Sequence, residues 1–192
     1  MLDAHDGGDT DAELRRRYPR LLAPDRWEWA AIDVRFTMRL PRDDLVQSVH
    51  VVAFQGDDVV VCRDERPLVW FLPGGTREVD ETVDSCIRRE FGEEAGGELV
   101  GDFHQFGAHV GLSERAEPYR PHLPHPRKAW LWGWAECVVG RLPGNPAGGE
   151  TVIEVQAVPL GVAMRLASTD NGWGGELVAL AASLRRRCLE TA

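Results

Sequence analysis

Three glutamates within five residues, Glu90, Glu93 and Glu94, are the part of the sequence best equipped for chemistry. They fall in a stretch, Glu81 to Ala95, whose apolar residues recur with a helical period. On a helical wheel, Val83, Ile87 and Phe91 form an apolar stripe, with Cys86 beside it. Glu94 falls between Val83 and Ile87, Glu90 falls between Cys86 and Val83, and Glu93 lies just beyond Cys86. Two carboxylates therefore project from the face that must be buried, and a third flanks it. Like-charge pairs at i,i+3 and i,i+4 each destabilise a helix by a few tenths of a kcal/mol. Burial of unpaired carboxylates costs more. The ordinary reading of a Glu-rich helix is a solvated face, and here the wheel contradicts it. A hard divalent cation, Mg²⁺ or Mn²⁺, is the compensation best suited to convergent oxygen ligands. Arg89 is the only base within reach, and one guanidinium does not neutralise three carboxylates.

The elements that must position these groups follow from local patterning. Thr82 is the N-cap of the acidic helix and Gly96-Gly97 its stop. Upstream, Pro73-Gly74-Gly75 ends a short strand, Leu68 to Leu72, and paired glycines let the backbone approach a phosphate or a metal-bound ligand closely. Strict alternation from Ile32 to Leu40 predicts a half-buried strand. A hairpin follows, with strands at Gln47 to Phe54 and Val59 to Cys62 around Gly56-Asp57-Asp58. Further strands are expected at Leu99 to Val110, Ala129 to Val139 and Thr151 to Val158. Helices are expected at Asp11 to Tyr18, Val162 to Ala167 and Glu176 to Leu189. A Pro- and His-rich loop, Ser113 to Arg127, separates two of the strands, and the first ten residues are expected to be mobile. Strands with an inserted helix and terminal helices read as a mixed α/β domain.

Gly75, Glu81 and the run Arg89-Glu90-Phe91-Gly92-Glu93-Glu94-Ala95-Gly96 together resemble the Nudix box. Seven fixed residues fall at the required spacing; only the last, apolar position departs, holding Gly97. The resemblance implies an α/β/α sandwich with a mixed central sheet, carrying here an N-terminal strand extension and a C-terminal helix. It implies a pyrophosphohydrolase acting on acid anhydrides: metal-dependent hydrolysis of a diphosphate bond in a nucleoside diphosphate linked to another group, or in a nucleoside triphosphate. In that reading Glu90, Glu93 and Glu94 bind Mg²⁺ or Mn²⁺, with Glu90 or Glu93 as base. Arg89 orients the carboxylates through an ion pair that includes Glu81, while Gly74 and Gly75 shape the loop. A further Glu from a later loop is expected to join them. Glu150 is preferred, with Glu154 and Glu136 behind it.

The remaining candidates are weaker. Trp130, Trp132 and Trp134 share one sheet face; they are more often core than a base-stacking platform, and Trp132 is the one retained for substrate. His104 and His109 read as packed. Arg127, with Arg120, His122 and His125, lies in the long loop and is a candidate for substrate phosphates. The expected organisation is an extension (1–45), a catalytic domain (46–168) and a packed C-terminal helix (169–192).

Composition sets limits. The 192 residues carry 31 acidic against 22 basic side chains, a formal net charge of -9, which disfavours non-specific nucleic-acid or anionic-membrane binding. No segment has the roughly 20 apolar residues of a membrane span, and the start lacks a secretory signal, so the expected compartment is the cytoplasm. Cys62, Cys86, Cys137 and Cys188 are too scattered for a zinc site and read as buried free thiols. All bases but Lys128 are arginine, which reads as composition. The partner is a small nucleotide-type molecule. The Ile32 to Leu40 strand is a candidate for pairing across a homodimer or for covering a sheet edge. The alternatives are a catalytically weak nucleotide-binding or regulatory module, and isopentenyl-diphosphate isomerisation, for which the expected cysteine setting is missing.

Overall fold

The computed structural model describes residues 11–65, 69–145 and 151–191. In chain order the elements are α1 (Asp11–Arg17), β1 (Asp25–Trp27), β2 (Ile32–Thr37), β3 (Val46–Gln55), β4 (Asp58–Asp64), β5 (Trp70–Phe71), β6 (Gly74–Thr76), α2 (Val83–Ala95), β7 (Gly97–Ser113), β8 (Arg127–Val139), β9 (Val152–Pro159), α3 (Leu160–Asn171) and α4 (Gly174–Thr191). The expected mobile first ten residues and the expected strand start at Leu68 lie outside the described residues.

The strands form one mixed sheet in the order β1-β2-β7-β8-β3-β4-β5, with β6 paired to β3 and β9 to β4. Among the described strands only β3 and β8 run parallel, and they are its centre. Their near-continuous apolar sequences suit strands covered on both faces. On one face, Cys86, Ile87, Phe91 and Ala95 of α2 pack on Val49, Val51, Val60 and Leu131. On the other, Leu177, Leu180 and Ala181 of α4, Ala163 of α3 and Leu14 of α1 pack on Val52, Phe54, Val61, Trp132 and Trp134. The result is the α/β/α sandwich with a mixed sheet.

Several boundaries move for physical reasons. β2 stops at Thr37 because its pairing with β7 ends there, at Ala108; it covers the β7 edge of its own chain, and β1 pairs outside it. The acidic helix starts at Val83, not Glu81. Thr82 caps it through a reciprocal bond with Ser85, the Ser85 amide donating to Thr82 Oγ1 at 3.1 Å. Gly97 opens β7, opposite Val139. A Cβ there would meet the Phe91 ring at 2.8 Å, so the missing apolar side chain is replaced by the ring of the helix it terminates. α3 begins at Leu160, directly after Pro159, and runs to Asn171, longer than the short helix expected. Cys62, Cys86 and Cys137 are buried free thiols, but Cys188, expected buried, is exposed near the end of α4. Among the described residues no helix is long and apolar enough to cross a membrane.

Candidate functional site

The acidic face of α2 lies against β6 and the turn that follows it. Arg89 is the hub. Its Nε donates to Glu81 Oε1 at 2.9 Å and its Nη2 to Glu81 Oε2 at 3.0 Å. Its Nη1 lies 2.9 Å from Glu90 Oε1 and 3.1 Å from Glu93 Oε2. Nη2 also reaches the Thr76 carbonyl at 3.2 Å. One guanidinium thus serves three carboxylates, and the carboxylate hydrogen bonds, those of Glu81 foremost, raise its pKa further. Burial alone would raise Glu81, but the hydrogen bonds from Arg89 and from the Glu78 amide hold it below the usual carboxylate range. Glu90 goes the other way. Burial, with Glu93 and Glu81 adding to it, holds its carboxyl above that range despite Arg89. Its side chain is 13% exposed, and its cationic partner Arg89 is shared with Glu81 and Glu93.

The glycines place this carboxylate. Any Cβ on Gly75 would lie inside contact distance of both Glu90 oxygens, so the backbone is open only because the residue is glycine. Gly74 has φ +148°, and a Cβ there would strike the Cα of His50 and the Val49 carbonyl. Its amide donates to Glu94 Oε2 at 2.8 Å. Among the described residues no three His, Cys, Asp or Glu side chains are arranged to hold a metal ion. Glu90 and Glu93 share Arg89 Nη1, while Glu94, itself buried, turns to the strand amide. The donor set still fits a hard divalent cation. Three carboxylates share one guanidinium, the fourth, Glu94, rests on a backbone amide, and Glu90 against Gly75 has only that shared Arg89 as a cationic partner.

The other side of β6 borders a cleft of about 1100 Å³. Gly74, Gly75 and Thr76 form part of its wall, and Trp27, Trp29, Trp70, Trp130, Trp132 and Trp173 line it. These are six of the chain's seven tryptophans. The His50 ring stacks on Trp132 with centroids 4.7 Å apart, and burial lowers its pKa to about 4. Trp132 Nε1 donates to His109 Nδ1 at 3.0 Å, so His109 is neutral, its pKa pulled down to about 3 by burial and by His50.

Residues 44–180 match the NUDIX domain family. The chain belongs to the Nudix family. Among solved structures, this Nudix chain is similar to a pyrophosphohydrolase of Bacillus subtilis, with 13% identity over 88% of this chain and 97% of that one and a TM-score of 0.57. It is also similar to an ADP-ribose pyrophosphatase of Streptococcus suis, with 19% identity over 72% of this chain and 90% of that one and a TM-score of 0.46. No curated protein sequence matches it. The first likeness speaks for the shared fold.

The structure of this Nudix protein brings together Glu81, Arg89, Glu90, Glu93, Glu94, Gly74 and Gly75, and sets Trp132 in the adjoining cleft. Glu150 lies outside the described residues. Glu154 pairs with Arg63 at 3.0 Å and Glu136 with Arg185 at 2.6 Å, so both alternatives to Glu150 are engaged elsewhere. Arg127 is exposed and is not among the residues of the cleft wall. The sequence reading missed the cleft itself. Its tryptophans come from β1, the turn after β1, β5, β8 and the residue before α4, and only Trp130 and Trp132, in the alternating stripe of β8, could be read as sharing a face. His104, read as packed, stacks on Trp134 at 4.0 Å.

Proposed function

We propose that this Nudix protein is a divalent-metal-dependent pyrophosphohydrolase acting on a nucleoside diphosphate linked to another group, or on a nucleoside triphosphate. One observation carries the reading. The poorly exposed Glu90 carboxylate, sharing a single guanidinium with two other carboxylates, is held against the backbone of Gly75, which walls a cleft large enough for a nucleotide. Glu90, Glu93 and Glu94 would hold the cation, with Glu150 as a further ligand. Bound there, the cation offsets the charge of the diphosphate oxygens and acidifies water.

The chain's own residues account for the rest. Arg89 fixes the carboxylates of Glu90 and Glu93, and Glu81 fixes Arg89. Glu90 or Glu93 takes the proton from the attacking water; the raised pKa of Glu90 suits it to that transfer. The Gly74–Thr76 strand brings the backbone up to the phosphoryl group, with no side chain at Gly74 or Gly75 to block it. Trp132 and its neighbours offer flat apolar faces for a nucleobase. No covalent intermediate is required.

The test is product release from a panel of nucleotide sugars, dinucleotides and nucleoside triphosphates with Mg²⁺, with and without a chelator. Turnover is expected only with metal. Glu93→Gln is expected to lower kcat by about 10²- to 10⁴-fold at unchanged fold. A panel on which wild type and Glu93→Gln are equally inert would leave a nucleotide-binding module in place of an enzyme.

A further inference from the structure

Among the described residues, two cations of the cleft have no carboxylate within ion-pair distance. Lys128, the chain's only lysine, stands on β8 on the same face as Trp130 and is 4% exposed. Its ammonium lies 6.0 Å from the centre of the Trp130 ring. Among the described residues no carboxylate pairs with it. Burial lowers its pKa, and the charged group that acts on it is another cation, Arg115. Arg115 is exposed, lines the same cleft and gives its guanidinium to the Trp29 carbonyl. Of the nearby acids, Asp25 accepts from the Arg26 amide and from Trp27 Nε1, and three others sit on a third base. Arg26 takes both oxygens of Glu114 at 2.9 and 2.8 Å, Asp33 at 3.2 Å and Glu28 at 3.6 Å. A further polar group is left over: the buried Nε1 of Trp173, which also lines the cleft, has no hydrogen-bond partner among the described residues.

Burying an unpaired cation is costly, and a chain with 31 acidic residues had ample means to pair it. Among the described residues neither cation has a carboxylate within ion-pair distance, so each is open to an anionic group of a ligand. A carboxylate on a ligand would answer one of them with two acceptor oxygens. A phosphate monoester carries about -1.5 to -2 at neutral pH and three acceptor oxygens, which suits an ammonium, a guanidinium and an indole N–H together. The scissile diphosphate is assigned to the opposite wall, where Gly74 to Thr76 meet the carboxylates of α2, and that leaves these cations for a different group. We propose that Lys128 and Arg115 form a subsite for a phosphate monoester that the nucleotide substrate carries in addition to its diphosphate. The inference rests on the pyrophosphohydrolase reading for its substrate class.

Binding without metal separates the two readings, because no chemistry is needed. The full chain in a chelator is titrated with NAD⁺ and NADP⁺, and with dephospho-coenzyme A and coenzyme A, and quenching of the cleft tryptophans is followed. In at least one pair the extra 2′- or 3′-phosphate is expected to lower Kd tenfold or more. Lys128→Met is expected to bring the ratio within that pair near one, and Lys128→Arg to keep most of it. Arg115→Gln, on an exposed side chain, gives the same readout should Lys128→Met fail to fold. Equal Kd within both pairs, or equal weakening of both members by the variants, overturns the subsite. Absence of hydrolysis with Mg²⁺ overturns the enzyme reading and leaves the binding ratio standing.

Discussion

The Gly74 amide donates to Glu94 Oε2 at 2.8 Å while the other side of the same residue abuts the Cα of His50. One glycine is thus the partition between the acidic helix and the aromatic cleft, and its neighbour Gly75 is the floor under Glu90. The two positions respond differently to a methyl group. Gly74→Ala meets backbone at φ +148° and is expected to cost about 3 kcal/mol or more, read by urea denaturation. Gly75→Ala meets only the end of a flexible side chain. It is expected to leave the fold intact, displace Glu90 and weaken Mn²⁺ binding about 10- to 100-fold by calorimetric titration.

Glu90 makes a prediction about stability as well as function. Burial, helped by Glu93 and Glu81, keeps its carboxyl protonated to a higher pH than in the unfolded chain. Between the unfolded and folded values the native state binds more protons, so stability is lost as pH rises through that window. At neutral pH the metal-free protein bears the cost. Glu90→Gln is expected to raise Tm in a chelator at pH 7, and the gain is expected to shrink below the ordinary carboxylate range. Wild type, and not the variant, is expected to gain most from added Mg²⁺. Thermal melts at two pH values, with and without metal, check all three.

The buried histidines set the acid limb. His50 and His109 are held neutral, at about 4 and about 3, chiefly by burial. The unfolded chain takes up their protons first, so their contribution is fully present above the ordinary value of 6.5 and is lost as pH falls from there toward 4. His109→Phe is expected to flatten this part of the stability profile. It also strands the Trp132 N–H, which now bonds His109 Nδ1 at 3.0 Å, at a cost of about 1–3 kcal/mol at pH 7. Chemical denaturation at pH 7 and pH 5 separates the two effects.

What the sequence revealed was local. Thr82, the Val83-Ile87-Phe91 stripe and Gly96 define α2 within a residue or two because caps and period lie in one contiguous stretch. The conflict of Glu90 and Glu94 with that stripe was visible for the same reason, and both are indeed poorly exposed. Which way Glu94 turns was not legible. It depends on the amide of Gly74, twenty positions earlier, brought close by the pairing of β6 with β3. The cleft was hidden more deeply still, because Trp27, Trp132 and Trp173 meet only after the sheet has formed and α4 has docked. Lys128 looked like a quirk of composition until its surroundings were known. Arg127, next to it, was favoured because it is a loop-end base, yet strand alternation points neighbouring residues to opposite faces.

The N-terminal segment depends on one side chain of α4. Glu176 Oε2 accepts both the Arg20 and the Leu21 amides at 2.9 Å, just where Leu21, 1% exposed, enters the core with Leu14 and Tyr18. Two backbone donors on one charged acceptor are worth more than two neutral bonds, and the first turn of α4 also favours a carboxylate there. Glu176→Ala is expected to cost about 2–3 kcal/mol, and Glu176→Gln, which keeps a carbonyl acceptor, roughly half as much. Hydrogen exchange should speed up across residues 14–22 in Glu176→Ala before it does so in the central strands β3 and β8. The effect should reach the cleft too. Trp173 and Gly174, three and two residues before Glu176, line its wall, and Trp27 of β1 stacks on Trp173 with centroids 6.2 Å apart. A nucleotide that uses the cleft should therefore bind Glu176→Ala more weakly, while the Arg89 cluster on the opposite face of the sheet keeps its affinity for Mn²⁺.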